Sequence, residues 1–149
     1  KKLIMMPIIV IIKESIMADR QWTFGNVLGY LYIGFAVYTD ADLDEAEKKE
    51  IFVALSEWLP DESRSHIYGL LETSLTWFKE DFDKSDDDND YVINQIVGIG
   101  SFLKDNMNSD ACQAVVNDLA RIGQADGHYD EVERGWNKIL AEQLGVNAA

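Results

Sequence analysis

The chain has one cysteine, two prolines, two histidines and only 13 lysines and arginines against 27 acidic residues, in a length of 149. A single cysteine, Cys112, excludes an internal disulfide and fits a reducing compartment, so a cytoplasmic protein is expected. The ordinary role of such a thiol is that of a small buried apolar group. The shortage of basic residues leaves a formal net charge of -14, which repels phosphate backbones and anionic lipid at long range and excludes nucleic acid as a partner. No apolar run reaches the ~20 residues that a membrane-spanning helix requires. The segment over residues 3–12 stops at Lys13 and Glu14 without a cleavage motif. It is read as a retained segment buried against the domain or against a second copy of it, which makes a homodimer one expected assembly. The sequence also lacks a glycine-rich phosphate loop and any nucleophile set beside a base, so no enzymatic activity is expected.

What the chain does carry is helical periodicity. Apolar residues recur at helical rather than alternating spacing from Thr23 onward, and Pro60 falls between two periodic segments, where it can stop a helix. The spacing predicts an all-α single domain over 1–149 with about seven helices, at 6–18, 23–39, 44–59, 61–81, 90–106, 109–125 and 130–144. Residues 82–90, "FDKSDDDND", read as an acidic solvated loop.

Of the 27 acids, 17 fall in three stretches, at residues 40–50, 79–90 and 126–133. The first and third are related by an offset of 86 residues, which aligns "TDADLDEAE" with "ADGHYDEVE". Val132, Ile139, Leu140 and Leu144 then fall on Ala46, Val53, Ala54 and Trp58, and are read as one apolar face. On the preceding helix Leu119, Ile122 and Gly123 fall on Ile33, Ala36 and Val37, whereas Trp136 against Glu50 is a mismatch. The expected architecture is therefore two related three-helix units joined by the extra helix 61–81, with the repeat spanning about 23–59 and 109–145.

Each acidic corner is a helix end, a turn and a helix start. Asp44 with Glu47, and Asp130 with Glu133, have the spacing of a capping box, which stabilises a helix by ~1 kcal/mol without any ligand. Capping does not account for Asp40 and Asp126. Each is expected at the C-terminal end of the preceding helix, where the helix dipole disfavours an acid by ~0.3–1 kcal/mol. Two compensations are open: loop N–H groups, helped by Gly127, or a hard cation bridging Asp126, Asp130 and Glu133, and likewise Asp40, Asp44 and Glu47. An EF-hand is excluded, because loop position 6 is Glu45 rather than glycine and position 12 is Ile51 rather than glutamate. His128 is expected to be solvated.

Helix, "ADGxxDxxE", then an amphipathic helix ending "LAEQLGV" resembles the tellurite-resistance TerB family, with "TDADLDEAE" as its first, degenerate copy. The resemblance covers about residues 24–146. It implies an all-α fold and a metal-binding, sensing or scaffolding module in a bacterial stress response, whose partners are other proteins. It also implies acidic ligands for calcium or magnesium at Asp126, Asp130 and Glu133 and at Asp40, Asp44 and Glu47. Ala41 departs from the pattern where the turn glycine stands. A competing reading rests on the 16 aromatic residues, including Trp22, Trp58, Trp77 and Trp136: a carrier or sensor of a small apolar molecule lodged between helices.

Overall fold

The computed structural model describes residues 20–40, 43–85 and 90–149, the side chains of 38–40 and 90 excepted. These residues form six α-helices and no strand: α1 (Phe24–Asp40), α2 (Glu45–Trp58), α3 (Arg64–Lys84), α4 (Asp90–Asn106), α5 (Ser109–Gly123) and α6 (Glu131–Leu144). The seventh expected helix, 6–18, and the expected burial of residues 3–12 lie outside the described residues. Among the described residues no helix is long and apolar enough to cross a membrane.

Helix starts follow the polar residues placed before them. Thr23 Oγ1 accepts from Asn26 N–H at 3.2 Å, Ser63 Oγ from His66 N–H at 3.0 Å and Asn108 Oδ1 from Ala111 N–H at 2.8 Å. Each satisfies a donor that has no partner inside its own helix. The third helix begins and ends later than the spacing predicts, at Arg64 and Lys84 rather than 61 and 81. Pro60, Asp61 and Glu62 form a turn and leave the cap to Ser63, and the helix absorbs the first residues of the expected acidic loop.

α1 is the central helix and touches every other helix. Val27, Leu28, Tyr30, Leu31, Tyr32, Ile33, Phe35 and Ala36 are all buried, so over residues 24–36 this helix shows no polar face to water. Its closest neighbour is α3, which approaches where α1 has no side chain. A Cβ at Gly29 would lie 2.6 Å from Ser74 Oγ and 3.0 Å from Ser74 Cβ. Ser74 cannot simply swing aside, because it is fully buried and its hydroxyl bonds to Asn26. Gly29→Ala is therefore expected to destabilise the protein. Overpacking costs about 1–3 kcal/mol, against a gain in helix propensity of about 1 kcal/mol. Gly69→Ala and Gly135→Ala, on α3 and α6 with nothing within 4 Å of the added carbon, should instead stabilise by about 0.5–1 kcal/mol. Urea midpoints of the three variants check both signs.

The offset of 86 is kept in α2 and α6, whereas α5 ends at Gly123, three residues short of the position equivalent to Asp40 at the end of α1. Shifted by 86, the bounds of α2 coincide with those of α6. The buried positions of α2, Glu47, Ile51, Ala54, Leu55 and Trp58, map one for one onto Glu133, Asn137, Leu140, Ala141 and Leu144 of α6. The expected face was only half right. Leu140, Leu144, Ala54 and Trp58 point inward, but Val132, Ile139 and Val53 are exposed by 53%, 54% and 37%, and Ala46 is exposed as well. The inward places are taken by polar groups that find partners there. Asn137 donates to the Val116 carbonyl at 3.1 Å and accepts from Ala149 N–H at 2.8 Å, and Glu133 closes the cap of its own helix.

Where the two inner helices meet, equivalent positions touch each other. Tyr32 of α1 donates to Asp118 of α5 at 2.7 Å, and these residues are 86 apart. Trp58 Nε1 donates to the same carboxylate oxygen at 2.7 Å, while Arg121 approaches its other oxygen at 3.4 Å and reaches Glu50 and Glu57 on α2, each at 3.1 Å. Burial, reinforced by the adjacent Asp118 charge, pushes the Tyr32 phenol well above its usual range, so it remains a donor. A second buried carboxylate, Asp81 on α3, takes hydrogen bonds from Arg20 at 2.8 and 3.0 Å, Tyr30 at 2.7 Å and Gln95 at 2.9 Å. The Arg20 guanidinium lies 5.2 Å from the Trp77 ring centre, which fixes the entry of the chain into α1.

Candidate metal centre

Both corners close with the capping box expected of them. In the first, Asp44 Oδ1 accepts from Glu47 N–H at 2.8 Å and Glu47 Oε1 faces Asp44 N–H at 3.4 Å. In the second, Asp130 Oδ1 accepts from Glu133 N–H at 2.9 Å and Glu133 Oε1 from Asp130 N–H at 3.1 Å. Both glutamates are buried, Glu47 at 0% and Glu133 at 4% exposure, although a capping glutamate on a surface helix ordinarily faces water. The cap thus holds each glutamate with its carboxylate directed into the body of the domain.

Asp126 lies three residues beyond the end of α5, not inside the helix terminus, so the repulsion from the helix dipole is weaker than expected. Its Oδ1 accepts from His128 N–H at 2.9 Å, forming a turn that Gly127 completes at φ 89°, a left-handed conformation that a side chain would strain. The loop N–H compensation is therefore present for one carboxylate oxygen. His128 is solvent-facing at 82% side-chain exposure, with Nδ1 4.0 Å from Asp126.

The grouping of the acids differs from the one expected. Asp126 does not form a three-carboxylate cluster with Asp130 and Glu133, which remain in their cap. It meets the other corner instead: Asp44, Glu47 and Asp126 each offer a carboxylate oxygen, and the three oxygens all lie within 4.8 Å of one another. Both corners are capped alike, so the cap does not separate them; the turn closed by His128 N–H and Gly127 is what places Asp126 beside the other corner rather than its own. Of the first expected set, Asp44 and Glu47 are in this cluster. Asp40 closes α1, and its side chain lies outside the described residues.

Three carboxylates at such spacing repel by about 1 kcal/mol per pair in water and about 3–4 kcal/mol at an effective dielectric of 20. A divalent cation reverses the sign of that interaction. Calcium takes oxygen ligands at 2.3–2.6 Å and magnesium at 2.0–2.1 Å, so ligands on opposite sides of such an ion stand about 4–5 Å apart, a spacing compatible with oxygens that lie within 4.8 Å of one another. Asp44, Glu47 and Asp126 could therefore hold either ion, with backbone carbonyls or water completing its shell.

Every member of the cluster is legible as an acid at a corner, but the pairing of one corner with the other is a tertiary fact. The signal that could have revealed it is the repeat itself, because two related corners packed about a shared core can exchange partners. No protein-family model matches the chain, and neither the curated proteins nor the solved structures with which it was compared include a match.

Proposed function

We propose that the chain is a non-enzymatic, divalent-cation-binding helical module with the two-unit arrangement of the TerB-like family, serving as a cytoplasmic sensing or scaffolding domain for other proteins of a stress response. The observation that supports the cation is the convergence of Asp44, Glu47 and Asp126 from two corners that lie far apart in the chain. In a protein of net charge -14, an ion at such a cluster would relieve the repulsion that the cap and turn hydrogen bonds leave in place. The sensing role follows physically: an ion held by both corners would add a ligand-dependent link between the two halves to the fixed ones made by Tyr32, Trp58 and Arg121. The stress-response role and the protein partners rest on the resemblance of the acidic corners alone.

Thermal melts with and without calcium or magnesium test this reading. An ion at 100 times its dissociation constant should stabilise the protein by about 2.7 kcal/mol. Asp126→Asn should abolish that increment, yet leave the metal-free protein within about 0.5 kcal/mol of the parent, since asparagine can still accept from His128 N–H. A parent melting temperature indifferent to both ions, or an Asp126→Asn effect equal with and without metal, would reject the cation.

The alternative, a carrier of a small apolar molecule, would use the cleft lined by Leu31, Phe35, Ile96, Trp136, Ile139 and Leu140. Its volume of about 70 Å³ is less than half that of the ~150 Å³ cavity known to admit benzene, which favours the cation reading.

A further inference from the structure

Between α2 and α3 lies an open groove of about 580 Å³. Its floor is aromatic, with the Phe52 ring 6.4 Å from the Tyr68 ring. Tyr68 and Val53 are two of the few large apolar side chains left open to water, at 52% and 37% exposure. Its rims are cationic: Lys48 and Lys49 stand about one turn before Phe52 on α2, and Arg64 stands one turn before Tyr68 on α3 with its guanidinium 4.9 Å from the centre of the Phe52 ring.

Three of the 13 basic residues of a strongly acidic chain thus border one groove. Lys48 is engaged by Glu72 at 3.4 Å, and of the two acids on the lining Glu57 is engaged by Arg121 at 3.1 Å. The other, Glu45, is one turn before Lys49 without reaching it. Among the described residues no carboxylate stands within ion-pair distance of Lys49 or Arg64. Two cations without carboxylate partners thus border an aromatic floor of half-buried Phe52 and exposed Tyr68, one of them, Arg64, lying over the Phe52 ring.

We infer that this groove is a docking site for a short acidic peptide segment of a partner protein, with an aromatic side chain set between carboxylates. The aromatic residue would stack on Phe52 and Tyr68, and carboxylates on either side would meet Lys49 and Arg64. Charge decides against a nucleic acid, which would bring many phosphates toward a net charge of -14 to meet two free cations. A peptide brings few charges and is held by short-range contacts, which long-range repulsion slows in forming but does not break.

Fluorescence anisotropy of the intact chain with a fluorescein-labelled Asp-Glu-Gly-Phe-Gly-Glu-Asp peptide tests the assignment. Saturable binding is expected. It should weaken about tenfold or more in the double variant Lys49→Glu/Arg64→Glu, and when the peptide acids are replaced by their amides or its Phe by Ser. Lys49→Gln/Arg64→Gln, which removes both charges and the Arg64–Phe52 contact, should bind more weakly than the parent while lowering the melting temperature by no more than about 2–4 °C. Three results would each overturn the proposal: no saturable binding at millimolar peptide, equal binding of the amide peptide, or sedimentation showing that a second copy of the chain fills the groove.

Discussion

Asp81→Ala is expected to lower the unfolding free energy by about 3–5 kcal/mol, the range for a buried ion pair that loses one partner. Asp81 is fully buried and satisfies four donor contacts, from Arg20 twice, Tyr30 and Gln95. Arg20 retains Glu80 at 3.1 Å, which limits its own loss. The buried Tyr30 hydroxyl and Gln95 amide have no such substitute, and each unsatisfied group costs about 1–3 kcal/mol. The same residue shapes the acid limb of stability. Burial alone would push the Asp81 carboxyl up, but hydrogen bonds from Arg20, Gln95 and Tyr30 and the Arg20 charge hold it below its usual value. A carboxyl whose pKa is lower folded than unfolded contributes its full stability above the unfolded value of about 3.9, and that contribution is lost as pH falls through the folded value. Asp81→Asn should therefore be less stable at neutral pH and should show a shallower fall in stability below about pH 4. Urea titrations at a series of pH values measure both, and an unchanged acid limb would remove Asp81 from the account.

A loss of about 3 kcal/mol is also expected for Asp118→Ala, which takes the carboxylate acceptor from the buried Tyr32 hydroxyl and leaves the Trp58 indole N–H only its longer contact to the Tyr32 oxygen, at 3.2 Å. The pair lends itself to a double-mutant cycle. Tyr32→Phe in the parent removes one hydrogen bond to a charged group, at about 1.5–3 kcal/mol, but in the Asp118→Ala background it removes a hydroxyl that has lost its acceptor and keeps only the 3.2 Å contact from Trp58. The two losses should therefore fall short of additivity by at least about 1 kcal/mol. Strict additivity in urea midpoints would show that Tyr32 and Asp118 stabilise the fold separately.

The helices were legible because several independent signals agreed. At α2 and α6 the capping boxes, the apolar spacing and the offset of 86 all marked the same starts, and both bounds recur at that offset. Which face turns inward was less legible. Val132 and Ile139 carry the apolar signal, yet Glu133 and Asn137 take the buried positions because specific backbone partners await them. Hydropathy registers the cost of burying such groups and is blind to the hydrogen bonds that offset it. The candidate site shows the same limit. Sequence spacing grouped the acids by corner, since neighbours in a motif are neighbours in space within a turn, whereas the cluster draws Asp44 and Glu47 from one corner and Asp126 from the other. The groove between α2 and α3 left still less trace, because Lys49 and Arg64 are ordinary surface cations until Phe52 and Tyr68 are seen between them.

The Tyr32–Asp118 contact joins two positions that are the same position in the two copies of the repeat. In an assembly of two identical chains, a residue on the symmetry axis can meet only itself: tyrosine would face tyrosine, or one carboxylate another. Joining both halves in a single polypeptide lifts that restriction and lets one side become the proton donor and the other the acceptor. The contact at the centre of this fold is thus an asymmetry that a symmetric dimer could not encode, placed where departure from symmetry gains a charge-assisted hydrogen bond.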